Sequence, residues 1–120
     1  MRVAGLGFRT AATAQSLHDA LDKAGGRVDA LATAEEKAGQ PAIRALAGAL
    51  GVPVHAIGRG RLSAEVTVSH STKVSDRFGT GSVAEAAALA AAGPGARLLG
   101  PRVISADGLA TAAIAERDDE

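Results

Sequence analysis

The segment Gly79-Thr80-Gly81-Ser82-Val83-Ala84-Glu85 has the residue types of a helix start that can also hold an anion. Two glycines lead into a serine, and a glutamate follows three residues later. In a capping box, Ser82 accepts from the amide of Glu85 and Glu85 reaches back to the amide of Ser82. The first N–H groups of any helix lack partners within it, and together with the positive dipole end they favour a negative ligand. A capping box is also sufficient simply to begin a helix, so the segment alone leaves both roles open.

A second group lies near the start of the chain. Gly5-Leu6-Gly7-Phe8-Arg9-Thr10 opens like a dinucleotide fingerprint, but Thr10 stands where the third glycine belongs. Asp29 falls at the start of the second expected strand, whereas a ribose-binding acid belongs at its end, so nicotinamide and flavin binding are not expected. The Gly5 and Gly7 pair still suits a tight turn that brings backbone close to a ligand. Arg9 is either a fork for a carboxylate or a solvated surface residue. Thr33-Ala34-Glu35-Glu36-Lys37 follows the second strand, at the end where open α/β sheets bind their ligands. That places Thr33, Glu35 and Lys37 near Arg9. Lys37 there is either a charge partner for substrate or one half of an ion pair with Glu35 or Glu36.

Other chemistries are disfavoured. His18, His55 and His70 have no helical metal spacing and the chain has no cysteine, so neither a zinc site nor thiol catalysis is expected. Ser69-His70-Ser71 with Asp76 lacks the G-x-S-x-G elbow, and a nucleophilic triad is not expected. Arg59, Arg61, Lys73 and Arg77 make the segment 58–80 cationic. Such a loop is either solvated or a cover over the same sheet end.

These groups need a scaffold, and the hydrophobic pattern supplies one. Arg2 to Leu6 reads as a short strand stopping at glycine. Ala14, Leu17, Leu21 and Ala24 recur at helical spacing, and Gly25-Gly26 ends that helix. Val28 to Thr33 is the next strand. Pro41 suits a first helical turn, Ile43, Leu46, Ala47 and Leu50 form the apolar stripe, and Gly51 with Pro53 closes it. Val54 to Ile57 is a third strand. An alanine helix runs from Ser82 to about Ala92, stopped by Gly93-Pro94-Gly95. Arg97 to Leu99 and Ala110 to Ala115 are strands joined without a helix, and so are expected to be antiparallel neighbours. The sum is an α/β protein: three layers, α/β/α, with a mixed, mostly parallel sheet of about five strands. One domain over 1–120 is expected, with 115–120 a charged tail.

The 13 Lys and Arg residues equal the 13 Asp and Glu residues, so the overall field favours neither nucleic acid nor an anionic membrane. Phe8 and Phe78 are the only aromatics, which removes a base-stacking platform. No apolar run has the length of a membrane span, and the opening residues are broken too soon for a signal peptide. A cytoplasmic protein is expected.

Taken together, these residues resemble the family of CobE proteins and the C-terminal domain of CbiG, from cobalamin (vitamin B12) biosynthesis. Four anchors carry the resemblance over nearly the whole chain. They are Gly5-Leu6-Gly7-Phe8-Arg9; Ala32-Thr33 with Lys37-Ala38 and Pro41; Ser71 and Val74 with Gly79 and Ser82 to Leu89; and Thr111 to Ala115. The third is the most specific. The family often has cysteine at Phe8, an acid at Gln40 and lysine at Arg102, so no thiol role carries over and Arg102 keeps the charge. The resemblance implies a three-layer α/β/α fold, a lone domain of the CobE type, and work on a precorrin intermediate of corrin-ring assembly. With the residue reading above, it leads to the expectation of ligand-binding roles for Gly7, Arg9, Thr33, Lys37, Ser71, Gly79, Thr80, Gly81, Ser82 and Glu85, with no metal and no cofactor. The expected partners are the precorrin and other corrin-pathway enzymes. The chain is then a binding, carrier or auxiliary protein. The alternative is a hydrolase that opens the ring A lactone of a cobalt-precorrin-5A-like substrate and releases acetaldehyde, as CbiG does, with Glu36, Glu85 or His70 as water-activating base.

Overall fold

The structure is a computed structural model that describes residues 1–58, 60–61 and 83–118. Within them the chain forms β1 (Arg2–Phe8), α1 (Ala14–Ala24), β2 (Ala30–Ala34), α2 (Pro41–Leu50), β3 (Val54–Ile57), α3 (Val83–Ala92), β4 (Arg97–Leu98), β5 (Val103–Ile104) and β6 (Ala110–Glu116). α1 begins where Thr13 accepts from the Ser16 amide and Ser16 returns the contact to the Thr13 amide, a reciprocal cap. α2 has Pro41 in its first turn, where a missing N–H costs nothing. It ends at Gly51, whose φ of 70° is left-handed and cheap only for glycine.

The sheet order is β3-β2-β1-β6-β4, with β5 also on β6, six strands in all. β1 pairs in parallel with β2, and β2 with β3. β6 runs antiparallel to β1, β4 and β5. The sheet is therefore mixed, with β6 alone running against the rest. The antiparallel pairing of β4 with β6 is the one expected from their short connection. β5 adds a strand to the five expected, because two residues carry no periodicity.

Alternate residues of each strand face opposite layers. Leu6, Leu31, Ala112 and Ile114 pack against Leu17 and Leu21 of α1 and Ile43 and Leu46 of α2. Val3, Ala30, Ala32, Ile57 and Ala115 pack on the other side against the alanines of α3. This is the three-layer arrangement read from the sequence.

One local reading needs correction. Strand β1 does not stop at glycine; it runs through Gly5 and Gly7 to Phe8. Both glycines face α3. A Cβ at Gly5 would sit 2.6 Å from the Ala88 amide nitrogen and closer still to the Ala84 carbonyl oxygen. These glycines serve close approach of helix to strand, not a turn.

Candidate functional site

The carboxyl ends of β1 and β2 supply the candidate site. Beyond β1, the Arg9 amide donates to the Leu109 carbonyl (2.9 Å), tying the loop to the start of β6. Beyond β2 the chain turns at once: the Glu35 amide donates to the Ile57 carbonyl (3.0 Å) and the Lys37 amide to the Ala34 carbonyl (2.9 Å). The turn aims Lys37 back across the edge. Its Nζ donates to Thr10 Oγ1 at 3.3 Å and stands 5.4 Å from the centroid of the Phe8 ring. No salt bridge joins Lys37 to Glu35 or Glu36 among the described residues, so the local ion pair, one of its two expected roles, is not formed. Arg9 is exposed, and nothing among the described residues engages its guanidinium.

The start of α3 lies beside this edge. A Cβ at Gly7 would be 3.7 Å from the Val83 Cβ and 3.8 Å from the Ala84 nitrogen. Thr111, opposite Gly7 on β6, donates to the Gly7 carbonyl (3.3 Å). Gly7, Arg9, Lys37 and the first turn of α3 are thus brought together. Thr33 lies beneath them: its side chain is fully buried and its hydroxyl donates to the Leu6 carbonyl at 2.7 Å, riveting β2 to β1. Glu85 is also fully buried, and its Oε2 accepts from the Arg102 amide at 3.1 Å. Ser71, Gly79, Thr80, Gly81 and Ser82 lie outside the described residues, as do Arg59, His70, Lys73, Asp76 and Arg77.

Some expected groups fall elsewhere. Arg61 donates to the Ala90 carbonyl near the far end of α3 and lines a pocket of about 280 Å³ with Leu89, Pro94 and Ala96. It is not at the edge that holds Arg9. His18 stands 3.4 Å from Asp22 on its own helix, and His55 is exposed on the edge strand β3. Among the described residues no three His, Cys, Asp or Glu side chains group to hold a metal. No helix among them is long and apolar enough to cross a membrane.

Two carboxylates fix the two ends of the sheet. Asp107 accepts from Ser105 and Ser16 hydroxyls, each at 2.6 Å, and from the Leu109 amide at 3.0 Å. These bonds, the Ser105 one first, lower its pKa from 3.8 to about 2. Because Leu109 in turn accepts from Arg9, Asp107 anchors the Arg9 loop from below. At the opposite end, a hydrogen bond from Arg2 (2.9 Å) holds Glu116 below the ordinary carboxylate range.

The sequence reading missed Phe8 and Thr10 as partners of Lys37, and Asp107 as the anchor of Leu109. The Lys37 contacts join elements far apart in the chain, whereas Asp107 bonds Leu109 only two residues on. The only local signal was the Asp107-Gly108 turn dipeptide.

Residues 2–115 match the family described as Cobalamin synthesis G C-terminus. The solved structure of CobE, a protein from the cobalamin (vitamin B12) biosynthetic pathway, is 34% identical with a TM-score of 0.80, over 96% of this chain and 92% of that one. The cobalamin biosynthesis protein chiG from Agrobacterium tumefaciens str. C58 is 37% identical with a TM-score of 0.76, over 99% of this chain and 100% of that one. No curated protein sequence matches the chain. The family match, the sequence identity and the structural similarity agree: the chain belongs to the CbiG C-terminal family and is a cobalamin biosynthesis protein of the CobE/CbiG type.

Proposed function

We propose that this protein binds a precorrin intermediate of corrin-ring assembly at the carboxyl ends of β1 and β2, as a binding, carrier or auxiliary protein. Precorrins carry acetate and propionate arms around a wide, reactive ring. A binder needs cations at a rim, free amides, and small residues that let the macrocycle approach. The observation that carries the reading is the convergence of the Lys37 ammonium on the Thr10 and Phe8 that flank the unengaged Arg9. Gly7 and the start of α3 border the same edge. In this reading Arg9 and Lys37 take carboxylate arms. Ser71, Gly79, Thr80, Gly81 and Ser82 supply hydroxyl and amide donors, and Thr33 supports the floor. Other corrin-pathway enzymes are the partners that would deliver or collect the ligand.

The test is titration of the purified protein with precorrin intermediates, following the absorption spectrum and the mass of the ligand. Binding with unchanged mass is expected. A change of mass, or release of acetaldehyde, would make the protein the lactone-opening enzyme instead. Absence of binding at micromolar concentration would overturn the proposal.

A further inference from the structure

The loop that carries Arg9 is tied down by hydrogen bonds at both ends, and both lead to one carboxylate. Arg9, Thr10 and Ala11 are exposed and only Ala12 packs into the core, so little apolar burial holds this loop in place. At its first end the Arg9 amide donates to the Leu109 carbonyl (2.9 Å), and the Leu109 amide donates to Asp107 Oδ1 (3.0 Å). At its far end the Thr13 amide donates to Ser16 Oγ (3.1 Å), and that hydroxyl donates in turn to Asp107 Oδ2 (2.6 Å). Between the two, the Ala12 amide donates to the Arg9 carbonyl (2.9 Å) and makes the loop a turn. A bond from Leu109 to an aspartate two residues back is a common turn device and needs no functional reason. The Ser16 contact, 91 residues away in the chain, goes further: it ties the start of α1 to the turn before β6. Ser105 also donates to Oδ1 (2.6 Å) and holds the carboxylate where it serves both ends.

We infer that Asp107 is a positioning residue for both cations of the candidate site. Arg9 sits on the loop whose two ends Asp107 holds, and Lys37 rests against Thr10 of that same loop (3.3 Å). A carboxylate suits this task because it accepts at two oxygens at once and donates nothing. Its bonds are charge-assisted and so stronger than neutral ones. The inference rests on the reading of this edge as a precorrin site, and deepens it: the loop is ordered in advance, so a polycarboxylate meets cations that need little further ordering. Asp107 acts through the loop and does not touch the ligand itself.

Amide hydrogen exchange reads the loop without any ligand. Asp107→Ala is expected to speed exchange at both Arg9 and Thr13, and Ser16→Ala at Thr13 alone. The probe for binding is uroporphyrin, an octacarboxylate tetrapyrrole, titrated by fluorescence. Asp107→Ala is expected to weaken binding roughly tenfold, the scale of ordering one long side chain on association. Ser16→Ala, which keeps the charge of the carboxylate, should weaken it less. In an Arg9→Ala background the affinity lost through Asp107→Ala should shrink, while the fall in melting temperature stays the same. A merely structural Asp107 would cost the same affinity in both backgrounds, and that result overturns the inference, as does unchanged exchange at Arg9 in Asp107→Ala. If Asp107→Ala does not fold, Asp107→Asn, which keeps the shape and one acceptor oxygen, carries the same comparisons. Weakening by Arg9→Ala with none from Asp107→Ala overturns this inference alone. An unsubstituted protein that binds no uroporphyrin overturns the parent reading with it.

Discussion

The Lys37 ammonium stands 5.4 Å from the Phe8 ring centroid and 3.3 Å from the Thr10 hydroxyl, so one side chain from the turn after β2 touches the residues on both sides of Arg9. The ring of Phe8 is partly buried, and a cation over such a ring gains at least about 0.5–1 kcal/mol. That is enough to bias a flexible lysine toward the sheet edge and away from its acidic neighbours. The site's charge is therefore set by a contact between two strands, not within one turn.

Arg9→Ala is expected to weaken precorrin binding by about 1.5–3 kcal/mol, the range for a hydrogen bond to a charged group. Lys37→Ala should act in the same direction, and neither should lower the melting temperature noticeably, since Arg9 is exposed and Lys37 only half-buried. Spectroscopic titration of each variant checks this. Unchanged affinity in Arg9→Ala removes that residue from the site.

Gly5→Ala should destabilise the fold by about 3 kcal/mol or more, because the added carbon meets helix backbone that has no rotamer to escape into. Gly7→Ala should cost less, about 1 kcal/mol: there the nearest atom is the Thr111 hydroxyl, 2.9 Å away, which can rotate. Urea unfolding of the two variants side by side gives the comparison, and equal losses would contradict it.

Asp107 links stability to acid. Its pKa in the folded protein is lowered from 3.8 to about 2, so the carboxylate contributes fully above the upper value and loses its contribution as pH falls through the lower one. Asp107→Asn should melt below the parent protein at neutral pH. The gap should close as pH drops from 3.8 to about 2. Melting curves across that window test the sign, and a gap that widened in acid would be inconsistent with it.

Thr33→Val keeps the shape and removes the hydroxyl that donates to the Leu6 carbonyl. The expected cost is about 1 kcal/mol of stability with precorrin affinity unchanged. Thermal melts and titrations of the same sample separate the two. Lost affinity at full stability would return Thr33 to the ligand-contacting set.

Much of the scaffold was legible because its signals are local. Pro41 and Gly51 bracket α2, the apolar spacing from Ala14 to Ala24 marks α1, and Val54 to Ile57 reads as the short strand it forms. The glycines of β1 were misread because their reason is distant: α3, almost eighty residues later, needs the room. The site was half legible. The strand-end rule brought Arg9 and Lys37 to one edge, but it did not show that Lys37 ignores Glu35 and Glu36 for Phe8, or that Thr33 faces inward. Glu85 looked like a helix-capping residue. Its cap partner Ser82 lies outside the described residues, and its bond from the Arg102 amide joins segments that no periodicity connects.

Among the described strands, the first in chain order, β1, has the last, β6, as its neighbour along the full register from Arg2–Glu116 to Phe8–Ala110. Until residues 110–116 emerge, one flank of the central strand has no mate, and the loop bearing Arg9 has no Leu109 to hold it. The sheet cannot close before residues 110–116 are made, and the edge bearing Arg9 is among the final parts of the domain to take shape.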